Sequence, residues 1–155
     1  MEYKMKIAGL ARALPLCPLN ENLYIGAFVM FGDVELTVAA ATELLKIAPA
    51  YDVMITAESK GIPLAYEMAR QRGGERWLLA RKAPKLYMRG KRVLIVDDVI
   101  STGESLHALE TLVHEAGGKV VGKMAVLAEG DATTRKDILY LEKLPLFNAE
   151  GKPID

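Results

Sequence analysis

The chain has 155 residues, of which 51% are hydrophobic and 26% charged, a composition typical of one soluble globular domain. Twenty Lys and Arg residues balance twenty Asp and Glu residues, so we expect neither nucleic acid nor a membrane as a partner. The single cysteine, Cys17, excludes an internal disulfide, and we expect it to pack as a small side chain rather than to act as a reactive thiol. No apolar run reaches about 18 residues and no signal-peptide pattern begins the chain, so the sequence predicts a cytoplasmic protein.

Helices and strands are predicted to alternate through the first half of the chain. Residues 23–30 predict a short strand outside the main sheet. Residues 33–47 predict a helix, because Asp33 is a fair N-cap and apolar side chains recur along one stripe. The apolar run 51–57 predicts a buried strand, and residues 62–72 predict a helix that stops at two glycines.

The second half continues this alternation. Runs 77–80, 93–96 and 119–128 are continuously apolar, which is typical of strands covered on both faces in a parallel sheet. Residues 103–116 predict a third helix. The pattern predicts an α/β fold with a mostly parallel, doubly wound sheet flanked by helices. We expect a single domain, with an N-terminal segment at 1–32, a core at 33–143 and an irregular C-terminal tail at 144–155.

Two acidic residues follow the strand 93–96. Asp97 and Asp98 would lie at the carboxyl edge of the sheet, where open parallel sheets bind their ligands. Neighbouring carboxylates repel each other, and they are tolerated where they face hydroxyl donors, water or a divalent cation. The pair therefore predicts a polar ligand at this edge.

A short polar loop then leads into the third helix. Its members are Ser101, Thr102, Gly103, Glu104 and Ser105. Gly103 leaves room for a phosphate against the backbone, while free N–H groups and hydroxyls can donate to its oxygens. Together with the acidic pair, the loop predicts a ribose-5-phosphate site. One alternative stays open, in which Ser101 and Glu104 form a capping box and the acids are solvated turn residues.

The segment VLIVDDVISTGES, residues 93–105, resembles the signature of the type I phosphoribosyltransferases. The resemblance extends over residues 19–146. It implies that Asp97 and Asp98 are catalytic residues that contact the ribose hydroxyls of phosphoribosyl pyrophosphate (PRPP). It also implies that residues 101–105 wrap the 5-phosphate of PRPP.

Two further segments resemble pyrophosphate-binding parts of the adenine and xanthine members. The first is the turn formed by Glu58, Ser59, Lys60 and Gly61, which is similar to a turn that holds the pyrophosphate of PRPP. The second is the pair Arg81 and Lys82, which resembles an Arg-Lys pair after the same strand in adenine phosphoribosyltransferases. Solvated surface cations are the alternative for the lysines and the arginine.

The base pocket is expected between the N-terminal segment and the last core strand. Residues 22–28 are similar in placement to the hood that covers the base in purine-using members. Tyr24, Ile25 and Phe28 are the candidates there, with packing in a short strand as the alternative for the aromatic residues. Glu129, after the last core strand, is the candidate on the other side of the pocket.

As a whole, the resemblance implies a purine phosphoribosyltransferase, with adenine as the favoured base. Such an enzyme moves ribose 5-phosphate from PRPP to a purine base and releases pyrophosphate, in purine salvage. The implied cofactor is Mg²⁺, held mainly by PRPP oxygens and water, with few or no direct protein ligands. The family also implies a homodimer.

The chain departs from the family pattern between strands 77–80 and 93–96. Family members carry a long mobile lid there that excludes water, whereas only residues 83–92 join these strands here. A parallel crossover normally needs about a dozen residues or more, so antiparallel pairing of 77–80 with its neighbour is an alternative. Either the protein lacks the lid, which favours a non-catalytic PRPP- or nucleotide-binding regulatory protein, or the 155-residue sequence omits a lid near Met88-Arg89.

Overall fold

The computed structural model describes residues 1–82 and 84–154, so Ala83 in the predicted connection and Asp155 in the predicted tail lie outside the described residues. A five-stranded sheet forms the centre of the protein, with strand order β5-β4-β6-β7-β8 and every neighbouring pair parallel. Its strands are β4 (Val53–Thr56), β5 (Leu78–Leu79), β6 (Arg92–Ile100), β7 (Lys119–Glu129) and β8 (Leu139–Leu144). The predicted α/β class and parallel sheet are confirmed.

Three α-helices cover the two faces of this sheet: α1 (Val34–Ile47), α2 (Ile62–Arg72) and α3 (Glu104–Glu115). The predicted cap of α1 is confirmed, because the Asp33 side chain accepts a hydrogen bond from the Leu36 N–H at 3.1 Å. The predicted stop of α2 is confirmed as well. Gly73 takes a left-handed conformation there and its N–H donates to the last turn of the helix.

The faces of the sheet have separate apolar cores, as a doubly wound fold requires. On one face, α1 and α2 pack against side chains that include Met54, Leu94 and Met124. On the other face, α3 packs against side chains that include Val93 and Ile95. Continuous apolar runs in the sequence therefore reflect strands that are buried on both sides.

A second, antiparallel sheet lies over the α1–α2 face, and we call it the hood. Its strand order is β1-β2-β3-β9. The strands are β1 (Glu2–Ile7), β2 (Leu10–Pro18), β3 (Tyr24–Gly26) and β9 (Leu146–Phe147). Ile7, Leu14 and Phe28 extend the apolar core from the hood side. The expectation that the C-terminal tail is wholly irregular is therefore wrong. Its strand β9 pairs with β3, which joins the end of the chain to the N-terminal segment.

The connection from β5 to β6 differs most from expectation. The alternative of antiparallel pairing is wrong, since β5 runs parallel to β4. The described residues of the connection include a 3₁₀ helix at Lys85–Tyr87, followed by a turn that the Lys91 N–H closes on the Met88 carbonyl at 2.9 Å. Met88 is fully buried against α3. A compact turn therefore occupies the place where the resemblance implies a mobile lid.

Among the described residues, no helix has the length and apolar character needed to cross a membrane.

Candidate functional site

A cavity of about 560 Å³ opens at the carboxyl edge of the main sheet, beneath the hood. The residues that line it come from five places: the turn after β4, the end of β6 with the loop that follows, the end of β7, the end of β8, and the hood. Among them are Glu58, Ser59, Lys60, Asp97, Asp98, Ser101, Ser105, Ile25, Phe28 and Glu129. Ten of the predicted site residues therefore share one cavity, because parallel strands end at the same edge of the sheet.

The acidic pair lies inside β6 rather than beyond its end. β6 continues to Ile100 because its backbone still pairs with β7, with Asp97 opposite Ala125. The Asp97 carboxylate accepts a hydrogen bond from the Asp98 N–H at 2.8 Å. The Asp98 carboxylate in turn accepts from the Val99 N–H, also at 2.8 Å. The strand and these short bonds hold both carboxyl groups in place.

Burial raises the pKa of Asp97 to about 7, and the neighbouring Asp98 contributes to the rise, whereas Lys60 opposes it. Two carboxyl groups this close resist simultaneous ionisation in a poorly solvated site. Hydroxyl donors or a cation would relieve that repulsion. The electrostatics of the pair therefore suit a ligand that brings hydroxyl groups, positive charge or both.

The loop after β6 ends in an exposed helix N-terminus. α3 begins at Glu104 with Gly103 as its N-cap, and no side-chain cap is found within the described chain. The capping-box alternative is wrong, because Ser101 lies two residues before the cap. Only Thr102 contributes locally, accepting a long 3.4 Å hydrogen bond from the Glu104 N–H. First-turn N–H groups without a side-chain cap are available to an anion.

Gly103 is required by the shape of this loop. Its φ of +83° lies in the left-handed region, which strains any residue with a Cβ. A Cβ at this position would also lie 2.7 Å from Nη1 of Arg135. The Arg135 guanidinium is held there by Asp137, which accepts hydrogen bonds from Nε and Nη2. This arginine was not among the predicted site residues.

The turn after β4 approaches the acidic pair from the neighbouring strand. A Cβ on Gly61 would overlap the Thr56 hydroxyl oxygen and would lie 3.4 Å from Asp97 Oδ1. The Thr56 hydroxyl is fully buried and has no hydrogen-bond partner among the described residues. The Glu58–Ser59 peptide bond is cis. Gly61 therefore allows the turn to pass directly over the end of β4 and to bring Lys60 to the cavity.

The remaining pyrophosphate candidates lie to one side. Arg81 lines a second cavity of about 550 Å³, which shares Glu58 and Ser105 with the first. Lys82 is exposed, and it follows Arg81 in the chain. Arg81 therefore lies beside the cavity that contains the acidic pair, whereas Lys82 lines neither cavity.

Three of the four predicted base-pocket residues line the cavity, namely Ile25, Phe28 and Glu129. Tyr24 instead lies in β3 opposite Phe147 of β9. Val29 and Leu144 also line the cavity, as does Cys17, which is exposed. The expectation that Cys17 packs in the interior is therefore wrong. Leu144 could not have been assigned from the sequence, since it reaches the cavity only because β8 pairs with β7.

The donor set of the cavity fits Mg²⁺. Asp97, Asp98 and Glu58 supply carboxylate oxygens, which this hard cation prefers. Within the described residues no group of three or more His, Cys, Asp and Glu side chains could enclose a metal. These residues would therefore hold Mg²⁺ together with ligand oxygens and water.

Comparisons with known proteins agree with this geometry. The family model described as the phosphoribosyl transferase domain matches residues 79–145. The hypoxanthine/guanine phosphoribosyltransferase of Methanothermococcus okinawensis is 30% identical over 141 residues, covering 71% of this chain and 75% of that protein. The orotate phosphoribosyltransferase of a Thermoanaerobacter species is 30% identical over 103 residues, covering 62% and 54%. The chain spans about half the length of the orotate relatives it matches.

Solved structures share the fold. The crystal structure of adenine phosphoribosyltransferase from Thermoanaerobacter pseudethanolicus has a TM-score of 0.67 at 20% identity, covering 84% of this chain and 95% of that chain. Orotate phosphoribosyltransferase from Mycobacterium tuberculosis, in complex with 5-phospho-alpha-D-ribosyl 1-diphosphate, has a TM-score of 0.54 at 21% identity, covering 70% and 73%. At these identities the likeness concerns the fold.

Proposed function

The chain belongs to the phosphoribosyltransferase family, and from this membership we propose that it transfers ribose 5-phosphate from PRPP to a purine base, with release of pyrophosphate. Adenine is the favoured base, and the role would be purine salvage. The observation that carries the proposal is the single cavity shared by the acidic pair, the loop at the start of α3 and the Glu58–Gly61 turn.

The cavity offers a separate partner for each part of PRPP. The first-turn N–H groups of α3, with the hydroxyls of Thr102 and Ser105, would bind the 5-phosphate, because a helix N-terminus favours an anion. Asp97 and Asp98 would accept hydrogen bonds from the ribose hydroxyls. They would also stabilise positive charge that develops on the ribose as the bond to pyrophosphate breaks.

The leaving group would depart toward the cations. Lys60 lines the cavity and Arg81 lines the neighbouring one, with Lys82 next to Arg81 in the chain, so their charges would offset the charge that grows on pyrophosphate. Mg²⁺, when bound with the diphosphate, would supply further neutralisation of the same charge. Most of the rate enhancement would then come from positioning and electrostatics, since no protein nucleophile is needed.

The direct test is incubation of the protein with PRPP, Mg²⁺ and one base at a time. We expect one base to give a nucleoside monophosphate and an equal amount of pyrophosphate, both measured by chromatography. A reaction without a base separates transfer from PRPP hydrolysis. Absence of nucleotide with every base, in protein that is folded and binds PRPP, would refute the transferase proposal.

The compact connection between β5 and β6 favours one second candidate. Because Met88 is buried in a compact turn where the family carries a lid, the described connection offers no long segment to close over the acidic pair during the reaction, and catalysis would suffer. On this alternative the protein is a non-catalytic sensor of PRPP or a nucleotide. Calorimetric titration that shows PRPP binding, beside no product with any base, would favour the sensor.

We also propose that the protein is a cytoplasmic homodimer, as the family resemblance implies. Sedimentation equilibrium should give about twice the chain mass of 17.0 kDa. Intact-mass measurement on the natural protein tests the lid as well, because a lid absent from the 155-residue sequence would raise the chain mass above that value.

A further inference from the structure

Glu129 lines the cavity at the point where β7 ends. It is the last residue of β7, and it is only 8% exposed. Its backbone pairs with Leu144 of β8, and the Leu144 Cδ1 atom lies 3.1 Å from the point where a Cβ on Gly26 would stand. Glu129 is therefore connected through Leu144 to strand β3 of the hood, on the side of the cavity where a base would be covered.

The Glu129 carboxyl group keeps capacity for a ligand. The Ser101 hydroxyl donates to it, while burial raises the pKa of Glu129. A carboxyl group has about four lone-pair positions when ionised, so one hydroxyl donor leaves most of its capacity open. A ligand that brings an N–H donor to this position could therefore use one of the open lone pairs.

The charges that line the cavity are mainly negative. Four carboxyl groups contribute, those of Glu58, Asp97, Asp98 and Glu129, whereas Lys60 is the cation among the cavity's lining residues. Phosphate and pyrophosphate have the helix N-terminus and the cations Lys60 and Arg81 to compensate their charge. A negatively charged base beneath the hood would face the Glu129 carboxyl group without a compensating positive charge. The resulting repulsion is stronger because the site is poorly solvated.

We infer that Glu129 determines which base is used, by accepting a hydrogen bond from the exocyclic amino group of a neutral aminopurine. This inference rests on the proposed function and names its substrate class. An amino group donates to a carboxyl oxygen in either protonation state of the carboxyl. Hypoxanthine offers only a ring N–H beside its carbonyl oxygen, and orotate adds a negative charge, so both fit less well.

Nucleotide titration tests this inference without relying on turnover. AMP, GMP, IMP and orotidine monophosphate share the ribose 5-phosphate and differ in the base. We expect the protein to bind AMP or GMP about 10- to 100-fold more tightly than the other two, the range that one hydrogen bond to a buried carboxyl group provides. AMP against GMP distinguishes an amino group at position 6 of the purine from one at position 2.

The variant Glu129→Gln completes the test. It keeps the shape of the side chain, removes the charge and adds an N–H₂ donor that suits a carbonyl edge. We expect it to lose most of the preference for the aminopurine nucleotide. The matched control is Glu142→Gln, because Glu142 is an exposed residue of the neighbouring strand β8.

Two results would overturn the role of Glu129. One is equal affinity of the unmodified protein for all four nucleotides, which needs no variant. The other is an unchanged order of affinities in folded Glu129→Gln. Failure of the transferase proposal gives a different result, namely no product from any base in the incubation with PRPP, whatever the order of nucleotide affinities.

Discussion

Replacing Asp97 with Asn is expected to stabilise the ligand-free protein at alkaline pH. Burial beside Asp98 raises the pKa of Asp97 from 3.8 to about 7 in the folded protein. The unfolded chain releases this proton near 3.8, so the folded protein holds the extra proton between these values. The contribution of Asp97 to the free energy of unfolding is therefore fully present below pH 3.8 and is lost as the pH rises through about 7.

The size of the effect follows from the shift. One pKa unit corresponds to about 1.36 kcal/mol, so the full shift sets an upper limit of roughly 4 kcal/mol above pH 7. Because Asp98 shares the interaction, we expect Asp97→Asn to raise the free energy of unfolding by about 1–3 kcal/mol at pH 8. The gain should shrink toward zero near pH 4, where the aspartate is already protonated. Asn keeps an oxygen that accepts from the Asp98 N–H.

The measurement is urea denaturation of both proteins at several pH values between 4 and 8, without PRPP or Mg²⁺. Asp52→Asn is the control with the opposite sign. Arg92 holds the pKa of the exposed Asp52 carboxyl down at about 2, so its contribution is present at neutral pH and is lost as the pH falls. Thermal midpoints provide a second readout, because about 1 kcal/mol shifts the midpoint of a protein this size by roughly 2–4 °C.

Either of two results would refute the reasoning. If Asp97→Asn is no more stable than the unmodified protein at pH 8, the buried carboxyl does not carry the proposed electrostatic cost. If the gain is the same at pH 4 and pH 8, ionisation of Asp97 is not its cause. A gain that grows with pH, beside a loss in Asp52→Asn, would support the strained acidic pair.

Three further predictions concern the loop, the acids and the core. Asp98→Asn should lower turnover by about 100-fold without loss of stability, since Asn can still accept from the Val99 N–H and the charge beside Asp97 is removed. Unchanged kinetics would remove Asp98 from the mechanism. Gly103→Ala should lower the free energy of unfolding by about 1–2 kcal/mol, because alanine is strained in the left-handed conformation of this residue. It should also weaken PRPP affinity in calorimetry, because the new Cβ crowds Arg135. Unaltered PRPP affinity would contradict a phosphate at this loop. Leu94→Ala, at a fully buried position, should lower the free energy of unfolding by about 2–5 kcal/mol in urea denaturation. The variant should still bind PRPP normally at urea concentrations below its unfolding transition. A loss of less than about 1 kcal/mol would contradict the place of Leu94 in the core.

Local sequence patterns were sufficient to predict the structure where a segment determines its own conformation. Asp33 caps α1 because its side chain reaches the Leu36 N–H three residues later, and that spacing is visible in the sequence. Gly73 ends α2 because only glycine takes its left-handed conformation without strain. The hairpin β1–β2 was missed although Tyr3, Met5 and Ile7 alternate with polar residues, a signal of a half-exposed strand.

Patterns failed where distant segments decide the outcome. β6 extends past the acidic pair because β7 supplies backbone partners as far as Ile100. This pairing could not be predicted from the sequence of the β6 segment alone. The tail forms β9 only because β3 offers an open edge. Arg81 stays a candidate for the pyrophosphate, but its place in a neighbouring cavity beside α3 could not be read from the sequence.

The sequence by itself determined the sheet-and-helix alternation, the ribose-phosphate segment at residues 93–105 and its resemblance to a family, because these depend on the order of residues along short stretches. Tertiary structure decided that Glu58, Asp97 and Glu129 face one cavity, since three different strands must end at the same edge before their side chains meet. It also decided the pKa of Asp97, because burial beside Asp98 exists only in the folded protein. Proximity and desolvation are properties of the packed chain, and both are needed for the proposed chemistry.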